Sequence, residues 1–281
     1  MPNTQDQLIP PTKRILLAGR TGTGKTTQIW SLPGKKFAYI FDPNALSALV
    51  AQPPYREKGC DLEYEIFLPE ISDVDTSLKG FNKGSKDDTA PGKRKREPQL
   101  YNRWEEHVLN KDFAGYDWLI IDSLTFLSKA IMDRQLFINN KYGGTEDVAD
   151  YKIVGAKMSE VFGAITGSPL NIFCTAHLSV FQDEKTAKLE TQLYLPGRAR
   201  TMLPLQFTDI FLAVTKDGDK GETRYEVRTR PDPKGLQDIR TSIPGLDTFE
   251  DVTIQRFDSK SSDYGIGALL SGKRRFKSVV R

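Results

Sequence analysis

The residues best suited to chemistry form the segment Gly19–Thr26, GRTGTGKT, which fits the spacing G-x-x-x-x-G-K-[ST]. In such a loop, backbone N–H groups surround a phosphate, and the N-terminus of the following helix adds partial positive charge. Lys25 would contact the β- and γ-phosphates, and the Thr26 hydroxyl would bind Mg²⁺. The pattern therefore predicts a site for ATP or a close relative with Mg²⁺. Its predicted nucleotide-binding residues are Gly19, Arg20, Thr21, Gly22, Thr23, Gly24, Lys25, Thr26 and Thr27.

The segments on either side of this loop support the prediction. Ile15–Ala18 is a short apolar run suited to a buried strand, and the chain after Lys25 can be helical as far as Trp30. The alternative is a glycine-rich turn that contains a lysine by chance. Strand, spacing, Lys-Thr pair and helix all favour the phosphate-binding loop instead.

Asp122 ends the apolar run 118–122 and is predicted to help Thr26 hold Mg²⁺. Its alternative role is an ordinary cap at the end of a strand. Ser123 follows it, where many motor ATPases place a catalytic glutamate, so the group that orients the attacking water must lie elsewhere. The candidates are Asp42, whose alternative role is a helix N-cap beside Pro43, and the acids at positions 105 and 106.

His177 follows another predicted buried strand, 170–175. At that position its ring could contact the γ-phosphate and transmit the presence of nucleotide to the basic segment that follows. The alternative is a polar residue at a strand end whose hydrogen bonds are satisfied by the backbone. His107 is the only other histidine, which excludes a site with three or more histidines.

Strands alternate with helices along the chain, which predicts an α/β fold with a mostly parallel sheet flanked by helices on both faces. Ligands in such sheets bind at the carboxyl ends of the strands, where the loop, Asp42, Asp122 and His177 are all expected. The segment 178–204 shows no continuous core pattern. Three further strands are predicted at 209–214, 224–228 and 252–255.

Composition and charge restrict the class of protein. The 281 residues are 38% hydrophobic and 27% charged, and no apolar run reaches the roughly 20 residues of a membrane span. We therefore expect a cytoplasmic protein without membrane contact, with Cys60 and Cys174 as reduced thiols. The predicted organisation is an arm at 1–12, a core at 13–245 with a mobile basic insertion at 79–98, and an extension with a basic tail at 246–281.

Taken together, these motifs resemble the RecA-like core ATPases, and most closely the phage ATPases of single-strand annealing and recombination. The resemblance rests on Gly19–Thr27, 118–123, 173–177, 195–209 and 228–240, and covers roughly residues 12 to 245. It implies a DNA-dependent ATPase in the cytoplasm of a phage-infected bacterium. The expected partners are single-stranded DNA, further copies of the chain in a ring or filament, and a single-strand-binding protein.

By this resemblance, His177 corresponds to the γ-phosphate sensor, and Arg240 lies near the position from which a cation enters the neighbouring subunit's site. The loops 139–147 and 178–204 would line single-stranded DNA. Tyr142, Phe181 and Tyr194 could stack on bases, although such aromatics more often pack locally. The cations expected to contact DNA are Lys185, Lys188, Arg198 and Arg200.

One departure from the family pattern concerns hydrolysis. The glutamate that the family places beside the second strand has no match, and Asp42-Pro43-Asn44 occupies its place. Two alternative functions are therefore also compatible with the sequence, a nucleotide-switched scaffold with little hydrolysis and a ring helicase motor. A small-molecule kinase is disfavoured because the basic segment 178–204 is long and irregular for a kinase lid.

Overall fold

The computed structural model describes residues 12–50, 61–69, 97–142, 144–182, 189–218, 221–232, 235–258 and 260–272. Several predicted features lie outside these residues. They are the arm up to residue 11, the basic insertion up to residue 96, Lys185 and Lys188, and the basic tail from residue 273.

An eight-stranded sheet forms the centre of the fold, in the order β10-β9-β8-β1-β5-β4-β2-β3. Every neighbouring pair from β8 to β3 is parallel, and β9 and β10 are antiparallel additions at one edge. A separate two-stranded hairpin consists of β6 and β7. The strands are β1 Arg14–Gly19, β2 Lys36–Ile40, β3 Leu62–Ile66, β4 Trp118–Asp122, β5 Asn171–Ala176, β6 Leu178–Gln182, β7 Leu189–Leu193, β8 Asp209–Asp217, β9 Thr223–Arg228 and β10 Phe249–Asp251.

Helices cover both faces of the sheet. The α-helices are α1 Ala45–Val50, α2 Leu100–Asn110, α3 Leu124–Ile138, α4 Val148–Thr166, α5 Ala199–Met202 and α6 Gly265–Leu270, and 3₁₀ helices span Thr26–Ser31, Leu203–Gln206 and Ser261–Asp263. Within the described ranges, no helix has both the length and the hydropathy of a membrane span. The fold is α/β, with a mostly parallel sheet flanked by helices, as the sequence predicts.

Side chains of the central strands alternate between two cores. In β1, Leu16 and Ala18 face the core under α2, α3 and α4, whereas Ile15 and Leu17 face the core under α1, α6 and the first 3₁₀ helix. Alternation is the rule for strands, and apolar residues on both faces are typical of parallel strands covered on both sides. The sheet is therefore buried on both faces, and its strand ends are where polar groups can meet a ligand.

The parallel register brings the predicted site together. Gly19 pairs with Ala213, Ala18 with Ala176, and Ile40 with Asp122, so the carboxyl ends of these strands share one edge of the sheet. The phosphate-binding loop follows β1 at this edge. Asp42 and His177 follow β2 and β5 there, as the sequence predicts.

Two local expectations are corrected. The segment 178–204 contains the β6–β7 hairpin, α5 and the start of a 3₁₀ helix rather than irregular chain. The strand expected at 252–255 lies instead at Phe249–Asp251, because its residues pair with Glu226–Arg228 of β9. The chain after Lys25 is helical as the sequence predicts, in a 3₁₀ helix of six residues that ends before Leu32.

The segment after residue 245 packs onto the same core as β1. Gln28, on the first 3₁₀ helix, donates from Nε2 to the Val252 carbonyl at 2.8 Å and accepts at Oε1 from the Ile266 N–H at 3.0 Å. The Gly267 N–H donates to Ser31 Oγ at 3.3 Å. A buried polar clasp therefore joins α6 to the helix that follows the phosphate-binding loop.

We expect Gly267→Ala to destabilise the protein, because a Cβ at Gly267 would lie 1.8 Å from the Ser31 carbonyl oxygen. Forcing an extra methyl into a packed contact costs about 1–3 kcal/mol. Gly163→Ala is the matched control, since a Cβ at this position of α4 meets nothing within 4 Å, and it should stabilise by about 0.5–1 kcal/mol. Urea unfolding measures both, and equal stabilities of the two variants would contradict the close contact.

Candidate active site

The loop after β1 has the backbone conformation that its glycines permit. Gly22 and Gly24 have φ of 82° and 76°, a region that favours glycine. A Cβ at Gly24 would also lie 2.7 Å from Cδ1 of Tyr225 on β9. Gly24 is thus required both by its conformation and by the tyrosine ring that supports the loop.

Lys25 is buried, with 7% of the residue exposed, and lies over the start of the loop. Its Nζ donates to the carbonyl oxygens of Gly19 at 3.0 Å and Arg20 at 2.8 Å. Burial lowers the pKa of Lys25, while the charges of Asp122 and Asp42 act in the opposite direction. A cation with little water around it interacts strongly with a phosphate, because the local dielectric is low.

Asp122 is the most buried acid of the site, with 1% of the residue exposed. Its Oδ2 accepts from the Thr26 hydroxyl at 2.7 Å, and its Oδ1 accepts from the Thr175 hydroxyl. Burial raises the pKa of Asp122, and nearby Asp42 adds to this, whereas the two threonine hydrogen bonds and Lys25 lower it. These bonds tie the phosphate-binding loop, β4 and β5 together at one carboxylate.

Thr26 and Asp122 fit Mg²⁺ bound together with a nucleotide. Mg²⁺ in such sites takes one or two protein ligands and fills its other positions with phosphate oxygens and water. Within the described part of the chain, no group of three or more His, Cys, Asp or Glu side chains could hold a metal. The hydroxyl and carboxylate, already 2.7 Å apart, are oxygen donors of the kind that Mg²⁺ prefers, so the residues present suit a nucleotide-dependent metal site.

Asp42 and His177 form a pair beside Lys25 and Asp122. Asp42 Oδ2 lies 3.1 Å from His177 Nε2, and Asp42 Oδ1 accepts from the Asn44 N–H at 2.8 Å. Burial acts to raise the pKa of Asp42, but hydrogen bonds from His177 and Asn44 and the charges of His177 and Lys25 outweigh it and lower the pKa. Asp42 is therefore a stable carboxylate and a weak base.

His177 connects this pair to two other elements. Its backbone N–H donates to Thr125 Oγ1 on α3 at 3.0 Å, and its ring packs edge-to-face on Phe126, with ring centroids 5.8 Å apart. Its carbonyl oxygen accepts from the Tyr194 N–H, just after β7, at 2.8 Å. A movement of His177 would therefore change its contacts with both α3 and the end of the β6–β7 hairpin.

A cleft of about 810 Å³ opens beside the Asp42–His177 pair, between α3, the start of α4 and the β6–β7 hairpin. Thr21 of the loop also lines it, so the cleft begins where the predicted nucleotide site ends. Its other lining residues include three aromatics and two cations, namely Phe126, Tyr151, Tyr194, Lys129 and Arg200.

The residues predicted to contact DNA are distributed unevenly. Arg200 lines the cleft, and Arg198 is exposed on the turn before α5. Tyr194 is 61% exposed, and Phe181 on β6 is 37% exposed. Tyr142 instead packs on Phe137 and is only 9% exposed, which favours local packing for that ring.

Arg240 and Glu105 lie away from the cluster at the strand tips. Arg240 pairs with Ile210 near the amino end of β8, and its guanidinium donates to the carbonyl oxygens of Pro204 and Phe207. This placement favours a local anchoring role. Glu105 on α2 accepts from Tyr101 and pairs with Lys157 at 3.1 Å, and Glu106 on the same helix is exposed.

Sequence reasoning missed the polar residues that hold the site in place. Thr175 fixes Asp122, Thr125 fixes the backbone of His177, and Tyr225 supports Gly24. Threonine and tyrosine are common residues, so nothing in the local pattern marks these three. Thr175 lies near the end of β5 and Thr125 in the first turn of α3, directly after β4, so closeness to these strand ends is the signal that could have indicated the two threonines.

We expect Asp122→Asn to stabilise the protein without nucleotide or Mg²⁺ by about 1–3 kcal/mol, because it removes a buried charge at constant shape. The same change should abolish Mg²⁺-dependent hydrolysis. Asp112→Asn, on an exposed loop, is the control and should alter neither property. Urea unfolding and phosphate release measure the two effects, and a loss of stability in Asp122→Asn would contradict the cost assigned to the buried carboxylate.

One of three comparisons with known proteins shows the family of the chain. A search of curated proteins found no match. Among solved structures, the flagellar accessory protein FlaH from Methanocaldococcus jannaschii is similar, with 14% sequence identity, a TM-score of 0.40, and coverage of 88% of this chain and 87% of that chain. The AAA domain family matches residues 12–240, a range that contains the loop and every residue placed at the strand tips. The chain belongs to this AAA domain family of P-loop ATPases.

Proposed function

We propose that the protein hydrolyses Mg²⁺-ATP, binds single-stranded DNA in the cleft beside the nucleotide site, and promotes annealing or recombination as a homo-oligomer. One observation carries the proposal. His177 pairs with Asp42 at the nucleotide site while its ring and backbone contact Phe126 and Tyr194 of the cleft. A nucleotide and a polymer bound at these two places would both act on the same side chain.

The roles of the chain's own residues in hydrolysis follow from their placement. The loop amides and Lys25 would bind and orient the phosphates, and Thr26 with Asp122 would hold the metal. Mg²⁺, when bound, would neutralise charge that develops on the phosphate oxygens. Thr175 keeps the Asp122 carboxylate in one orientation, as partners of metal-binding groups commonly do.

Asp42 is best suited to orienting the attacking water rather than removing its proton. A general base works best when its pKa lies near the operating pH, and hydrogen bonding keeps the pKa of Asp42 low. One of its oxygens is also engaged by His177 at 3.1 Å. Hydrolysis should consequently be slow until DNA in the cleft shifts His177 and releases the carboxylate, which would make the activity DNA-dependent.

The aromatic rings and cations that line the cleft support the proposal of single-strand binding. Aromatic faces stack on bases without strong sequence preference, and cations follow the phosphate backbone. Tyr194 and Phe126 supply the rings, and Lys129 and Arg200 supply the charges. Assembly into a ring or filament would extend the cleft from subunit to subunit.

For wild-type protein we expect ATP hydrolysis that single-stranded DNA stimulates. Lys25→Ala should reduce the rate about a hundredfold or more, because it removes a charge that stabilises the transition state. Lys35→Ala is the control, since Lys35 pairs with Glu63 at the surface. Phosphate release with and without DNA measures all three proteins. Full turnover in Lys25→Ala would exclude the assigned site, and identical wild-type rates with and without DNA would exclude the coupling.

For DNA binding we expect the double variant Lys129→Gln, Arg200→Gln to bind single strands more weakly and with a smaller salt dependence. Each phosphate contact contributes about −0.7 to the slope of log affinity against log salt, so losing two should flatten the slope by about 1.4. Lys13→Gln is the control, because Lys13 precedes β1 at the opposite edge of the sheet. An unchanged slope, measured by fluorescence anisotropy, would place the DNA surface elsewhere.

A further inference from the structure

Ser123 occupies a position from which serine normally caps a helix. It directly precedes α3 and has the extended conformation of an N-cap residue, with φ of −128° and ψ of 160°. A serine at this position usually accepts a hydrogen bond at its Oγ from an N–H of the first helical turn. Here no side-chain cap hydrogen bond forms, although the Ser123 carbonyl oxygen accepts from the Leu127 N–H at 3.0 Å.

The Ser123 hydroxyl is fully buried without a partner. The residue is 0% exposed, and its Oγ has no hydrogen bond to any residue that the structure describes. Buried hydroxyls almost always have a partner, and each exception needs an explanation. Ser128, one turn and a half further along α3, shows the usual outcome, since its buried Oγ donates to the Thr125 carbonyl at 2.8 Å.

The surroundings of Ser123 are those of the candidate active site. Its preceding neighbour is Asp122, whose carbonyl oxygen accepts from the backbone N–H groups of Phe41 at 2.6 Å and Asp42 at 3.1 Å. Ser123 therefore begins α3 between the tips of β4 and β2, next to the acid that suits Mg²⁺ and near the acid that suits the attacking water. Both oxygens of the Asp122 carboxylate already accept hydrogen bonds.

We propose that Ser123 is a positioning residue of the magnesium site, whose hydroxyl donates to a water bound to Mg²⁺ in the Mg²⁺–nucleotide complex. This inference rests on the proposed nucleotide function. A buried hydroxyl without a partner costs free energy in the protein alone, and alanine would fill the same place without that cost. A serine at this position is explained if the hydroxyl gains its partner when nucleotide binds.

The test compares Ser123→Ala and Ser123→Cys with the control Ser128→Ala. The first readout is Mg²⁺ affinity, from Mg²⁺ titration of the protein saturated with a non-hydrolysable ATP analogue. The second is nucleotide affinity in excess chelator, and the third is the free energy of unfolding without ligands. Ser123→Cys keeps a side chain of similar shape with a weak donor, so it separates the hydrogen bond from packing.

We expect Mg²⁺ affinity to fall about tenfold or more in both Ser123 variants, as is usual when a group that supports a metal site is lost. Nucleotide affinity in chelator should not change, and the stability of Ser123→Ala should equal or exceed that of the wild type. Ser128→Ala should lose stability but keep its Mg²⁺ affinity.

Three results would overturn the inference. The first is an unchanged Mg²⁺ affinity in Ser123→Ala. The second is a wild-type Mg²⁺ affinity in Ser123→Cys when the Mg²⁺ affinity of Ser123→Ala falls. The third is a loss of stability in ligand-free Ser123→Ala. The first two would leave the proposed function intact, provided that the wild type binds nucleotide with Mg²⁺ and hydrolyses it. If the wild type binds no nucleotide, the proposed function itself fails.

Discussion

The buried carboxylate of Asp122 is the point on which the arrangement of the site depends. One oxygen accepts from Thr26 of the phosphate-binding loop and the other from Thr175 of β5, so a single group on β4 joins three segments that are distant in sequence. A charge with 1% of its residue exposed is tolerated only where hydrogen bonds replace water. Lys25 and the two hydroxyls supply that environment, and the strand register brings them within reach.

The rest of the fold keeps these strand tips rigid. The central strands are apolar on both faces, and helices cover each face, so the ends of β1, β4 and β5 cannot shift independently. On one face the 3₁₀ helix after the loop is short, and six residues alone give little helical stability. Its stability comes from Gln28 and Ser31, which bind the chain around Val252 and α6. The segment after residue 245 thus stabilises the 3₁₀ helix that follows the phosphate-binding loop.

The sequence was informative where a local pattern determines the outcome. Glycine spacing after an apolar run predicts the loop, and the apolar run that ends at Asp122 predicts the tip of β4. The β6–β7 hairpin was missed because its strands lie apart from the main sheet and β6 is largely exposed, so β6 carries no buried pattern. The clasp between Gln28 and Ile266 joins residues 238 positions apart, and no local property of either segment indicates it. The same holds for Thr175, whose partner is set by strand order.

The buried polar groups of the site cost the protein folding free energy, and the same groups are suited to stabilise the charge of a bound nucleotide. Lys25, Asp122 and Ser123 are polar groups held at an apolar sheet edge with little or no water, and each is less favourable there than in solvent. A nucleotide with its metal would bring opposite charge to Lys25 and Asp122 and an oxygen acceptor to the Ser123 hydroxyl. Because the groups are already fixed, little reorganisation is needed when charge develops on the phosphates, which is the basis of electrostatic catalysis. The Asp42–His177 pair, whose Oδ2 and Nε2 lie 3.1 Å apart at the same edge, is the pair through which the cleft would act on hydrolysis under the proposed function.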